Sequence, residues 1–235
     1  MAMHWPPKGI QNPYYLDDTV CLVNADCLDV MREMEAGSVD MICTDPPYGM
    51  NRFATDGKDY LEAVAPALRL SWDILKDCSS MFVFTSTGEV VKVANGLGQP
   101  LKRMFWMYKP GDCTYPLGGW LLTSEAILWF AKGDKLNLCE RKPYRHDCYI
   151  HKRVGLEGVE GHPCVKPLWV VSDLVSRCPE GGTVLDMYCG SGTTGVACVK
   201  TGRRFIGVEI SEEYTRIALK RILEAKAQLQ LGFNG

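Results

Sequence analysis

What the chain lacks narrows it first. No apolar run approaches the roughly 20 residues needed to cross a bilayer; the longest are of the size of Ala126-Ile127-Leu128-Trp129-Phe130-Ala131. The opening Met1-Ala2-Met3-His4-Trp5-Pro6-Pro7-Lys8 lacks the charged-then-apolar plan of a secretory leader, so the expectation is a cytoplasmic protein without membrane contact. There is no Cys-x-x-Cys pair, no internal repeat and no low-complexity tract. The 11 cysteines are odd in number, and several (Cys21, Cys43, Cys198) sit inside apolar runs, as reduced thiols packed like small hydrophobes do. Cys139, His146, Cys148 and His151 offer two sulfurs and two imidazoles, but their irregular spacing lacks the paired arms of a zinc site, and no metal is expected. An excess of charge is lacking too. The 26 Lys+Arg against 28 Asp+Glu leave a net charge of −2, which taken alone argues against a nucleic-acid partner.

What is present reads as one large domain spanning 1–235, since domains average roughly 150 residues. With 46% hydrophobic and 23% charged residues, a disordered or fibrous chain is excluded. Strand-like runs at 19–23, 39–43, 81–84, 102–108, 125–131, 183–186 and 205–209 alternate with helical periodicity at 27–34, 59–75, 89–97, 168–177, 193–200 and 211–229. The last helix opens with Ser211 as N-cap and with Glu212 and Glu213 in its first turn. Such alternation predicts an α/β fold, a mostly parallel twisted sheet with helices on both faces. Only 133–161 lacks a periodic pattern, and it reads as a basic, loop-like insertion.

Two strand ends carry chemistry. After the strand at 183–186 comes Asp186-Met187-Tyr188-Cys189-Gly190-Ser191-Gly192-Thr193-Thr194, a glycine turn opening a helix. Such a turn lets backbone approach a ligand and aims free N–H groups at it. The next strand ends in Glu209, placed to accept hydrogen bonds from both hydroxyls of a ribose. Taken as a bare Gly-x-Gly pair, the turn favours a small nucleoside cofactor over a dinucleotide. The second end is Asp45-Pro46-Pro47-Tyr48, after the strand at 39–43. The Pro-Pro pair is rigid and has no amide N–H. A carboxylate beside a carbonyl supplies two acceptors, which is what an exocyclic –NH2 requires. The tyrosine ring offers a stacking face for a base.

Asp-Pro-Pro-Tyr followed much later by the glycine turn resembles the S-adenosylmethionine-dependent DNA amino-methyltransferases of the permuted β group. Asn24-Ala25-Asp26-Cys27-Leu28 is similar to that family's adenine-contacting segment, Glu125 to Lys132 to the strand closing its catalytic half, and His162-Pro163-Cys164-Val165-Lys166-Pro167 to its His-Pro-x-x-Lys-Pro element. The resemblance implies a Rossmann-like fold of permuted motif order, with a catalytic half at about 19–132, target recognition at about 133–161 and a cofactor half at about 162–229. It implies S-adenosylmethionine as cofactor, S-adenosylhomocysteine as product, and no metal. Asp45, Pro46, Pro47 and Tyr48 become catalytic. Asp26 is assigned to the cofactor adenine, Glu209 to its ribose, and Gly190, Ser191, Gly192 and Thr193 to its methionine end, with Cys27, Lys166, Asp186 and Tyr188 also at the cofactor.

Aspartate at the head of the motif usually accompanies adenine N6 in this family, and serine cytosine N4. The expected reaction is therefore methylation of a flipped-out adenine in double-stranded DNA by a bacterial or phage-type enzyme, possible partners being a second copy and a companion restriction endonuclease. Cytosine-N4 or RNA-adenine methylation, and a catalytically silent DNA-binding subunit, are the competing readings. The net charge also conceals a local excess. From 100 to 153 there are ten Lys+Arg against five acids, leaving the rest of the chain at −7. Lys135, Arg141, Lys142, Arg145, Lys152 and Arg153 are the expected DNA contacts in the recognition segment.

Overall fold

The computed structural model describes residues 5–47, 60–110, 116–117, 120–121, 123–139, 145–151 and 165–232. Its strands are β1 (Tyr15–Leu16), β2 (Val20–Asn24), β3 (Val39–Thr44), β4 (Leu75–Ser86), β5 (Leu101–Tyr108), β6 (Pro116–Leu117), β7 (Trp120–Leu121), β8 (Ser124–Lys132), β9 (Cys148–Ile150), β10 (Thr183–Asp186) and β11 (Arg204–Glu209). The helices are α1 (Cys27–Glu33), α2 (Tyr60–Ile74), α3 (Val90–Leu97), α4 (Leu168–Val175), α5 (Thr193–Thr201) and α6 (Glu212–Gly232).

Nine strands form one sheet in the order β1-β2-β11-β10-β3-β4-β8-β5-β9, and β6 and β7 form a separate hairpin. Five neighbours, β2, β11, β10, β3 and β4, run parallel. Their buried runs are apolar on both faces, as helix-covered parallel strands must be. One apolar layer joins Val170, Val171 and Leu174 of α4, Val196 and Ala197 of α5, and Ala218 and Ile222 of α6 to Met41, Cys43 and Val184 of the sheet. The opposite layer joins Met31 of α1, Val64 and Leu68 of α2, and Val93 and Leu97 of α3 to Ile42 and Leu185. Adjacent strand residues thus point to opposite layers, the period of two that the sequence carries.

β8 runs antiparallel to both β4 and β5. Its reversal brings Ser124 and Glu125 to the edge where the parallel strands end, and carries Lys132 to the opposite edge. There the Lys132 ammonium donates to the carbonyls of Trp72 and Leu75, satisfying the end of α2. β9 corrects the reading of 133–161 as pure loop. It pairs in parallel with β5 and extends the sheet. Its described neighbours, His146 and Asp147 before it and His151 after it, are polar, and three residues are too few for a periodic signal.

From β3 the chain moves outward to β4, and from β10 it moves the other way, to β11. The two crossovers diverge between β3 and β10, and ligands of open α/β sheets bind in the crevice at such a switch. Asp45 and Asp186 stand at the carboxyl ends of these two strands.

Candidate active site

The catalytic strand reaches the crevice through Thr44, whose hydroxyl donates to Asp186 Oδ1 at 2.8 Å. Thr194 of α5 donates to Asp186 Oδ2 at 2.7 Å, and the Tyr188 N–H donates to Oδ1 at 3.1 Å. Asp186 is buried, so its three donors make it a pin joining β3, β10 and α5. Desolvation outweighs those donors, with the Asp45 charge adding to it, and pushes the Asp186 carboxyl up to about 6. An acid with a raised folded pKa binds more protons folded than unfolded, so stability falls as pH rises from about 4 to 6. We expect denaturant titrations at pH 4.5 and 7 to differ by up to roughly 2 kcal/mol more in the wild type than in Asp186→Asn. An identical pH slope in the two proteins would remove Asp186 as the source.

Beside Asp186, Asp45 Oδ2 lies 2.6 Å from the ammonium of Lys166, which is 9% exposed. Lys166 is in turn 3.6 Å from Glu125 Oε2, and Lys109 holds Glu125 Oε1 at 2.5 Å. The ammonium also stands 5.6 Å from the centre of the Phe84 ring. Burial pulls the Glu125 carboxyl up, but Lys166 and then Lys109 outweigh it and hold the group below the usual range. The expected cofactor contact Lys166 is therefore seated on Asp45, the expected catalytic carboxylate. Glu125 and Lys109 are functional candidates missed in the sequence, although a charged residue heading the buried run 126–130 is a signal in itself. Pro46 is buried and Pro47 half-buried. Tyr48 and His162 lie outside the described residues.

The cofactor side is built on β10, β11 and β2. Gly190, at φ +50°, donates its N–H to Glu209 Oε2 at 2.8 Å, and Ser211 donates its N–H to Oε1 at 2.9 Å. Glu209 is thus locked by backbone on both oxygens, each keeping a further acceptor site. Asn24, its register partner, donates to the carbonyls of Glu209 and Ile210 and fastens the next strand end alongside. Asp26 follows there as the N-cap of α1, its Oδ1 accepting from the Leu28 N–H at 2.8 Å. Cys27 is partly buried against the same layer as Tyr188, and burial together with the Asp26 charge raises its thiol to about 11.

Gly192 sits at φ +78°, where an added Cβ would stand 2.8 Å from Ala218 Cβ and 2.9 Å from its Cα. Its role is to let α5 start against α6. Gly195 completes a Gly-x-Gly-x-x-Gly spacing, and a Cβ there would meet Ile222 and Phe205. The reading of a bare Gly-x-Gly pair is corrected by that residue, and the turn alone does not separate nucleoside from dinucleotide. Arg221 of α6 was missed as well. Its guanidinium donates to the Ser191 carbonyl at 2.5 Å, the Ser191 hydroxyl at 2.9 Å and the Thr193 hydroxyl at 3.3 Å, bracing the turn from behind.

A turn braced in this way, with carboxylates on the two neighbouring strand ends, fits S-adenosylmethionine in its donor and acceptor set. Acceptors stand at Glu209 and Asp26 for hydroxyls and an amine, and hydroxyls at Ser191 and Thr193 for a polar tail. Among the described residues no group of three or more His, Cys, Asp or Glu side chains is arranged for a metal ion.

The basic segment is divided. Lys135 follows Lys132 at the edge opposite Asp45, where the Asn137 N–H donates to the Cys78 carbonyl. That position sets Lys135 apart from the crevice. Arg145 pairs with Asp173 at 3.7 Å and is still 63% exposed. Arg103 pairs with Asp147 at 3.0 Å, so several cations counted in the excess neutralise the protein itself. Arg141, Lys142, Lys152 and Arg153 lie outside the described residues. The described residues stop at His151, whose N–H donates to the Tyr108 carbonyl at the crevice edge, and resume at Val165.

Comparison with known proteins agrees with this geometry. Residues 39–220 match the DNA methylase family. The type II methyltransferase M2.DpnII of Streptococcus pneumoniae is 27% identical over 249 residues, covering 89% of this chain and 92% of its own. The DNA adenine methyltransferase YhdJ of Escherichia coli strain K12 is 25% identical, covering 91% and 86%. Among solved structures, the M1.HpyAVI–SAM complex aligns with a TM-score of 0.68 at 25% identity, over 85% of this chain and 97% of that one. The cytosine-N4-specific PvuII DNA methyltransferase aligns with a TM-score of 0.77 at 15% identity, over 96% of each chain, and shares the fold. The chain belongs to the DNA methylase family and is an S-adenosylmethionine-dependent enzyme.

Proposed function

We propose that this methylase acts on the N6 amine of an adenine flipped out of double-stranded DNA, as one domain whose catalytic half precedes its cofactor half. The observation that carries the reading is Asp45, rather than serine, at the end of β3 and beside Asp186 across the crevice. Aspartate at that place usually accompanies adenine in the family, and the relative YhdJ is named a DNA adenine methyltransferase.

The adenine N6 lone pair is delocalised into the ring, so the amine is a poor nucleophile. Asp45 and the Pro46 carbonyl accept its two N–H bonds and favour a pyramidal nitrogen with its lone pair restored. Asp45 also stabilises the positive charge that grows on nitrogen, an effect worth about 3 kcal/mol when one such group is removed. S-adenosylmethionine supplies a methyl group already activated on a sulfonium. Glu209 and Asp26 hold the nucleoside end, and residues 190–193 the methionine end. Flipping the base costs a few kcal/mol. Stacking on Tyr48, worth about 1–3 kcal/mol, offsets part of it. Work on DNA places the enzyme in the cytoplasm. Pairing of two copies and a companion restriction endonuclease belong to the same reading.

Random-sequence DNA should be methylated in vitro, digested to nucleosides and read by mass. N6-methyldeoxyadenosine is the expected product. N4-methyldeoxycytidine alone would overturn the adenine assignment and leave the family intact.

A further inference from the structure

Asp45, Lys166, Glu125 and Lys109 form an alternating row of charges drawn from β3, the entry of α4, the start of β8 and the end of β5. Successive separations are 2.6, 3.6 and 2.5 Å. Every member is shielded, with side-chain exposures of 28, 9, 21 and 16%. A buried lysine alone would tend to lose its proton. An ammonium beside Asp45 alone would also cancel the negative field that a developing cation needs. Glu125 answers both problems, because a second carboxylate keeps Lys166 charged and balances it. Its Oε2 is buried without a hydrogen-bond partner and lies within ion-pair reach of that ammonium. Lys109 in turn balances Glu125, so the row is neutral overall and presents its negative pole at the substrate end.

We propose that Lys166 and Glu125 are positioning residues for methyl transfer: Lys166 holds and aims the Asp45 carboxylate, and Glu125 holds Lys166 in place and balances its charge. The inference rests on the reading of Asp45 as the acceptor for the target amine. It has a chemical consequence for the surplus proton. With an ammonium at 2.6 Å, Asp45 serves as an acceptor throughout turnover, and the proton released from the methylated amine passes on to water.

The test is the pH profile of single-turnover methyl transfer, with cofactor affinity measured separately by calorimetry. Among the described residues the charged groups around Asp45 are Lys166, Glu125, Lys109 and, from β10, Asp186. Removing the cation in Lys166→Met should move the acidic limb of the profile upward. Removing the anion in Glu125→Gln should bring the alkaline limb down, because Lys166 then loses its proton more easily. The rate at neutral pH should fall about tenfold to a hundredfold in both, with cofactor affinity unchanged, while Lys166→Arg and Glu125→Asp recover part of it. A purely structural role would lower the melting temperature and leave both limbs in place, which would overturn the proposal. Loss of cofactor affinity in Lys166→Met with an unmoved limb would assign the lysine to the cofactor and overturn it too. Should Lys166→Met fail to fold, Glu125→Gln, which preserves shape, decides alone. Asp45→Ala run in parallel separates the two readings. A wild-type rate in that variant refutes the acceptor role itself, whereas a crippled Asp45→Ala beside unmoved Lys166 and Glu125 profiles refutes only the row.

Discussion

Asp45→Ala should lower methyl transfer by about 10² to 10⁴-fold while the calorimetric affinity for S-adenosylmethionine stays close to wild type. The substitution removes one acceptor for the target amine and the charge opposite the growing cation at once. Asp45→Asn restores an acceptor oxygen without the charge, so its rate should fall between alanine and wild type. The alanine variant also strands Lys166, 9% exposed, with Glu125 at 3.6 Å as its remaining carboxylate in the row. A stability cost of about 1–3 kcal/mol is expected from that, so the melting temperature must be followed with the rate. Loss of cofactor binding together with activity would place Asp45 in the cofactor pocket and end the division of labour proposed above.

Gly192→Ala should be the most damaging change on the cofactor side. Two costs combine there: the left-handed φ of +78°, and a Cβ held 2.8–2.9 Å from Ala218 Cβ and Cα. The first is about 1–2 kcal/mol for a residue with a Cβ. The second is typical overpacking, about 1–3 kcal/mol. Together they remove roughly 2–5 kcal/mol of stability, and relief requires α5 to move away from α6. That movement displaces the turn braced by Arg221, so cofactor affinity falls with stability. Gly202, at the other end of α5, is the control. It has nearly the same φ of +71°, with nothing within 4 Å of an added Cβ. Gly202→Ala should therefore cost only the conformational part and leave cofactor affinity unchanged. Equal losses in the two variants would show that conformation rather than packing governs Gly192.

The strands and helices that surround the crevice are legible because apolar alternation and turn residues are local properties. β10 coincides with its expected range, β3 and β11 differ from theirs by a residue at one end, and β2 is shifted by one residue. β4 is longer than the run 81–84, because Lys76, Asp77 and the serines after Cys78 carry no strand pattern yet pair beyond the apolar core. The antiparallel direction of β8 is invisible for a related reason: an apolar run reads the same either way along the chain. In the site, Asp45, Asp186 and Glu209 stand out since each is an acid ending a buried strand. Their partners do not. The Thr44–Asp186 bond spans 142 residues of sequence and the Asn24–Glu209 bond 185, distances over which no spacing rule operates. The same holds for Lys166, whose motif suggested the cofactor while its ammonium lies on Asp45.

β10 and β11 are synthesised after every other strand, yet they lie between β2 and β3. Until they emerge from the ribosome, the early strands have no partners across that gap, and two apolar edges stand open to wrong pairing. Closure depends on contacts between distant parts of the chain, which makes folding slow and leaves it exposed to aggregation. It also sets when activity can begin. Asp186 reaches Thr44 only as the late strands slot in, so the residues up to β4, though made first, line no organised crevice beforehand.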